Sequence, residues 1–169
     1  MAVGQFQASE YNLVGEIEAT NVSTFNIGDV DSANITPGPT NAILAGENAY
    51  IKYNKWKCTT FGALNQIDDL RQWRDSGGYS TGVSVDCSLR TSGYSQPAYA
   101  TPNKTTYTDQ TYPVADPGSA NLGIGGSLTG TITAINQYSD RLKWQVHTTG
   151  STPAGSLTQF SSTFQWREQ

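Results

Sequence analysis

Apolar and polar residues alternate with period 2 along most of this chain, the pattern of half-buried β-strands. In GVSVDCSL, Val83, Val85, Cys87 and Leu89 fall on one side and Ser84, Asp86 and Ser88 on the other. DRLKWQVH sets Leu142, Trp144 and Val146 against Arg141, Lys143, Gln145 and His147, and FSSTFQW aligns Phe160, Ser162, Phe164 and Trp166. LVGEIEA separates Leu13, Gly15, Ile17 and Ala19 from Glu16 and Glu18. SLTGTIT sets Leu128, Gly130 and Ile132 against a ladder of Thr129, Thr131 and Thr133. NAYIKYNKWKC is also strand-like, but Ile51 and Tyr53 are out of phase with Trp56 and Cys58, which a bulge near Asn54 would reconcile.

One segment departs from this rhythm. ALNQIDDLRQWRDSGG spaces Leu64, Ile67, Leu70 and Trp73 by threes before Gly77 and Gly78. It reads either as a short helix with a glycine C-cap or as an irregular strand. Turn signals at TPGPTN, AGEN, DSGG and TGSTPAG separate the runs. The longest interruption, residues 94–121, carries four of the seven prolines and Tyr94, Tyr99, Tyr107 and Tyr112. It reads as a tyrosine-rich binding or assembly arm, with those four tyrosines as the candidate interaction residues, or as a meander with a short edge strand at TTYTD. Many short strands, turns between them and at most one short helix predict an all-β, antiparallel β-sandwich, immunoglobulin-like or jelly-roll-like. Residues 1–30 form an N-terminal arm or first strands, and 31–169 form the sandwich domain.

Composition narrows the function classes. Only 14% of the 169 residues are charged and the net charge is −4, with no basic run, so nucleic acid and anionic lipid are disfavoured as partners. The ten Lys and Arg are densest in KYNKWK (Lys52 to Lys57), which reads as a solvated edge or face. No apolar stretch reaches membrane-spanning length, and MAVGQFQASEYNLVG lacks the charged and apolar regions of a signal peptide, so synthesis in a cytosol is expected. Cys58 and Cys87 are too few for a metal cage and read as buried free thiols in preference to a disulfide.

Candidate chemistry is sparse. NLGIGGSLTG, residues 121–130, holds four of the 17 glycines, but Leu128 occupies the third glycine position of a dinucleotide fingerprint and a strand pattern follows it. The stretch reads as architecture, with Gly130 a candidate for a bulge or close backbone approach. His147, the single histidine, falls on a polar strand face with no nucleophile setting. Asp29 and Asp31 open a calcium-like DVDSAN that lacks the central glycine and the distal glutamate, so a turn is the better reading. Asp68 and Asp69 are a second carboxylate pair. No catalytic, cofactor-binding or metal-ligating set emerges, and the chain is read as a non-enzyme without a cofactor. Nine tyrosines and four tryptophans keep a carbohydrate-binding, lectin-like module as the rival reading.

GENAYIKYNKWKC, NQIDDLRQWRDSGGYSTG, DPGSANLGIGGSLTGTITAINQYSDRLKWQVHTTGSTPAG and STFQWRE together resemble structural proteins of tailed bacterial and archaeal viruses. The resemblance spans about residues 30–168, with AGENAYIKY similar to a central strand and TFQW to a last strand of an immunoglobulin-like sandwich. It implies a virion component, foremost a capsid decoration (cement) protein and otherwise a tail or fibre component. The implied partners are the major capsid protein, other virion subunits and further copies of the chain, a trimer among the options. No catalytic motif carries over.

Overall fold

The computed structural model describes residues 4–12, 17–20, 22–33, 35–36, 38–91, 110–154 and 160–169. Among these, the alternating segments become eight strands: β1 (Gln5–Asn12), β2 (Ile17–Thr20), β3 (Lys52–Thr60), β4 (Ile67–Ser76), β5 (Val83–Thr91), β6 (Gln110–Thr111), β7 (Arg141–Thr148) and β8 (Ser161–Glu168). Among the described residues the one helical element is a 3-10 turn, Pro39–Asn41. Sheet A has the order β2-β1-β3-β7-β5-β6 and sheet B pairs β4 with β8. All pairings are antiparallel, and aromatic residues fill the space between the sheets, so the expected all-β sandwich is the fold. TTYTD, Leu13 and Gly15 lie outside the described residues.

Two strands cannot roof six, and irregular segments complete the second layer. Phe25 packs against Trp56 and Trp144, with ring centroids 6.4 and 6.0 Å apart. On the other flank, residues 112–140 bury Tyr112, Leu122 and Ile132 completely. Between the layers, Trp56 stacks on Phe164 at 4.3 Å and 6°, and Phe6 packs against Phe164 and Trp166 at 5.0 and 4.9 Å. Such contacts add about 0.5–1.5 kcal/mol each to the burial of apolar area.

The segment spaced by threes is an irregular strand, not a helix. Asp68 pairs with Arg167 and Arg71 with Gln165, so Asp69 and Leu70 together face the single residue Trp166. This is a β-bulge, and Asp69 carries its positive φ of 50°. The extra residue reverses the strand's faces. Ile67 is buried before it and Leu70 and Gln72 after it, which accounts for the step of three from Ile67 to Leu70, while Trp73 falls on the other face.

NAYIKYNKWKC also contains an extra residue, but not at Asn54. The β1–β3 register runs unbroken from Tyr11↔Tyr53 to Phe6↔Cys58. The irregularity lies between Asn48, which bridges His147, and Lys52, which pairs with Trp144: four steps on one strand match three on the other. No phase correction is needed at Asn54 because both faces of β3 are buried around it, from Lys52 to Asn54. Asn54 and Cys58 are buried on the core side with Trp56 packed between them, and Ile51 and Tyr53 cluster with Tyr11 on the outer side. Lys52 shares the core side and meets Glu10 at 3.3 Å, with side chains 2% and 0% exposed. Its amine also donates to the carbonyl of Ser32. Burial lowers the Lys52 pKa below the usual lysine value, with Glu10 acting in the opposite direction. Cys58 and Cys87 are both buried and free, as expected, and burial pushes the Cys58 thiol up.

The glycine-rich stretch has a precise use in the fold. Ile124 and Ser127 pair across Gly125 and Gly126, whose φ values of 62° and 83° make the two-residue turn that L side chains resist. The N–H of Gly126 donates to both carboxylate oxygens of the buried Asp140 at 2.9 Å. Residues 128–134 do not continue as a threonine-laddered strand; consecutive turns interrupt them, and only Ile132 pairs, reciprocally with Ile67. Gly130 is the close approach anticipated for it: a Cβ there would overlap the carbonyl oxygen of Ile124 and lie 2.8 Å from its Cβ.

Two stability predictions follow from this packing. Gly130→Ala should cost roughly 1–3 kcal/mol in urea unfolding, because the obstacle is backbone that cannot swing aside. Lys52→Met should cost about 3–5 kcal/mol by leaving Glu10 without its cation, and Glu10→Leu combined with Lys52→Met should recover most of that loss. A double variant no more stable than the single one would refute the coupling.

Candidate interaction face

Of the four tyrosines singled out in the sequence, Tyr94, Tyr99 and Tyr107 lie outside the described residues. Tyr112 is fully buried: its ring lies 5.0 Å from Trp144 and 6.0 Å from Phe160, and its hydroxyl donates to Ser162 Oγ at 3.0 Å. Within the single chain it is a core residue and offers no surface to a ligand, because the β5–β6 pairing draws it under the sheet. Desolvation raises its phenol pKa.

Asp68 and Asp69 are each held by an arginine, one on the neighbouring strand and one on their own. Asp68 accepts a bidentate bond from Arg167, both contacts 2.9 Å, while Asp69 lies 3.5 Å from Arg71. The backbone N–H of Asp29 is bonded to Asn41. Among the described residues no group of three or more His, Cys, Asp or Glu could hold a metal ion. His147 is not simply solvated on its strand. Its Nδ1 lies 2.8 Å from Asn48 Oδ1 and its Nε2 lies 2.9 Å from Asp86 Oδ2. Ser84 stands directly across from it. The ring nitrogens face Asn48 and Asp86, so this Ser, His and Asp set does not have the geometry in which one histidine nitrogen meets the acid and the other activates the serine.

The register gathers a different set on the outer face of sheet A. Row by row, Tyr11 of β1 stands beside Tyr53 of β3 and then Lys143 of β7; Ser9 stands beside Lys55; Gln7 stands beside Lys57, which bridges Tyr138. Arg141 shares this face by alternation with Lys143. Four of the chain's ten basic side chains therefore lie side by side on two adjacent strands, each partly exposed. KYNKWK is thus an interior strand with Lys55 and Lys57 on a sheet face and Lys52 in the core. The "edge" alternative does not hold, since β1 and β7 flank it.

Aromatic rings set the positions of these cations. Lys55 Nζ lies 4.1 Å from the Tyr11 ring centroid and 4.8 Å from that of Tyr138, and Lys57 Nζ lies 5.7 Å from Tyr138. Each such contact is worth about 0.5–1 kcal/mol at an exposed site. Carboxylates bound the stripe on both sides. Glu18 of β2 accepts from the Tyr11 hydroxyl at 2.7 Å, and Asp86 of β5 faces His147. Burial, with the Glu18 hydrogen bond and charge adding to it, pushes the Tyr11 phenol up and keeps it a donor. The result is a ridged, cationic centre between acidic margins, suited to carboxylate-bearing or otherwise anionic surfaces. The sequence placed Arg141 and Lys143 outward but gave no sign that β3 and β7 are neighbours.

No protein-family model, curated protein or solved structure matches this chain.

Tyr11→Phe should cost about 1–2 kcal/mol at neutral pH by deleting the bond to Glu18. The folded phenol has the higher pKa, so its contribution is complete below the unfolded value of about 10 and is lost as pH rises toward the folded value. The variant should therefore show a shallower alkaline loss of stability in urea titrations between pH 9 and 11 (about one unit either side of that value). An unchanged alkaline slope would count against the assignment.

Proposed function

We propose that this chain is a structural subunit of a virus particle, foremost a capsid decoration protein, that works by non-covalent docking. Its contact surface is the outer face of sheet A, and its partner is an acidic surface of the major capsid protein or of another virion subunit. The observation that carries the reading is the gathering of Lys55, Lys57, Arg141 and Lys143 on one sheet face of a chain whose net charge is −4. The sequence resemblance to tailed-virus structural proteins supplies the particle. A tail or fibre location uses the same surface. A carbohydrate-binding role loses one of its four candidate tyrosines to the core, since Tyr112 is buried.

The test is co-sedimentation of the purified chain with shells assembled from the major capsid protein of the virus that encodes it. Lys55→Glu with Lys57→Glu should lower the bound fraction at least tenfold at physiological salt, roughly 1.4 kcal/mol or more, while circular dichroism stays unchanged. Raising the salt toward 1 M should weaken wild-type binding in the same direction, since screening lengths fall to about 3 Å. Shell binding indifferent to both changes would remove this face from the reading. Binding to anionic polysaccharide without shell binding would replace the reading with the carbohydrate one.

A further inference from the structure

Among the described residues, the β8 side of sheet B has no strand paired to it. Gln72 of β4 exchanges both backbone groups with the side chain of Asn121, while Leu70 and Arg74 bond to Asn121, Leu122 and Pro113. The backbone groups of Arg71 and Trp73 therefore point the other way, toward Gln165 and Thr163 of β8. It follows from the same alternation that Ser162, Phe164 and Trp166 direct their N–H and C=O groups away from β4. Among the described residues no backbone group pairs with them there. The strand is eight residues long and contains no proline or lysine, and the bulges that would twist it away lie in β4 instead. Protein edges of this length are ordinarily blunted by such devices. Beside the edge, the rings of Phe6, Phe164 and Trp166 form a continuous aromatic strip that is only partly buried.

We infer that β8 is a strand-addition site and that its occupant is β8 of a second copy of this chain, joined about a two-fold axis through Gln165. The edge complements itself in that register. Phe164 falls opposite Trp166 of the second copy, with their outward backbone groups exchanging hydrogen bonds, and the aromatic strip continues across the axis. On the solvent side Arg167 faces Thr163, and Gln165 faces its own symmetry mate. No like charges meet, whereas a register shifted to centre on Arg167 or Glu168 would oppose two arginines or two glutamates. The product is one continuous sheet, β4-β8-β8-β4. It uses the layer opposite the cationic face and is independent of the docking reading.

The experiment is sedimentation equilibrium of the full chain over a wide concentration range, with charge and cysteine variants. Wild type should reach a reversible monomer–dimer equilibrium. Thr163→Arg, which places two arginines opposite one another twice per dimer, should weaken it about threefold to tenfold, and Thr163→Glu should strengthen it comparably. Gln165→Cys should form an inter-chain disulfide under mild oxidation, since symmetry mates in a non-hydrogen-bonded pair approach closely and Cys58 and Cys87 are buried. Amide exchange at Phe164 and Trp166 should slow as concentration rises. A chain that stays monomeric, a trimer, or a dimer indifferent to Thr163→Arg and not captured through Gln165→Cys would each overturn the inference.

Discussion

Two indole N–H groups have to be satisfied between the sheets, and much of the architecture depends on how that is done. Trp144 donates to Asn54 Oδ1 within sheet A, and Trp56 donates to Gln72 Oε1 across the sandwich at 2.7 Å. An unsatisfied buried donor would cost about 1–3 kcal/mol, a large share of the stability of a domain of this size. Gln72 points inward only because the bulge at Asp69 and Leu70 reverses the faces of β4. A bulged strand leaves backbone groups out of register, and Asn121 occupies them, its amide acting as a substitute peptide against the N–H and C=O of Gln72. Asn121 is the first residue of the glycine-rich stretch. Leu122, buried next to it, donates to Leu70, so the stretch that follows is anchored to β4 at its start.

The uneven split of the sandwich has a similar logic. A two-stranded sheet supplies too little area to cover six strands, so irregular segments lie over the core with their own backbone groups to satisfy. They do so by borrowing strand partners. Gly123 donates to Leu89, Asp140 to Gly123, Ser139 to Trp56 and Asn136 to Cys58. Gly126 then closes on Asp140, so the buried carboxylate accepts from a backbone N–H. The glycines allow backbone to approach backbone and carboxylate where a Cβ would intrude. Their role is to let a loop behave as a layer of the core.

Strand identity was legible in the sequence wherever one face was apolar and the other polar. β5 follows its alternation residue by residue; β7 does so except at Gln145, which is buried on the face expected to be polar, and β8 does so except at Ser162, which is exposed. Legibility failed where burial is two-sided or register is irregular. Ile51, just before β3, and Tyr53 lie on one buried face and Asn54 and Cys58 on the other, so hydrophobic phase alone implied a bulge in the wrong place. In β4 one inserted residue produced a spacing of three that a helix also explains. SLTGTIT alternates as a strand should, yet turns every few residues leave only two isolated pairings, Ser127 with Ile124 and Ile132 with Ile67. Tyr112 has proline-rich, loop-like neighbours in sequence, but its burial is set by contacts with Trp144 and Ser162 that no local pattern encodes.

The interaction face was invisible for a related reason. Net charge and local density treat the ten basic residues as a single scattered population. Folding divides them by chemistry. Lys52 is taken into the core against Glu10, Arg71 and Arg167 are bound to Asp116 and Asp68 on sheet B, and Arg74 lies over the Tyr79 ring. What remains partly exposed on sheet A is a stripe held by Tyr11 and Tyr138 and bounded by Glu18 and Asp86. A weakly acidic chain can thus present a cationic surface, because most of its carboxylates lie elsewhere or at the margins of that stripe. The charge that governs association at short range is the charge of the face, since fields from the rest of the surface are screened beyond about 8 Å at physiological salt. The decisive information lies in which strands are neighbours, and that is fixed by long-range pairing such as Tyr53 with Lys143, not by the order of residues along either strand.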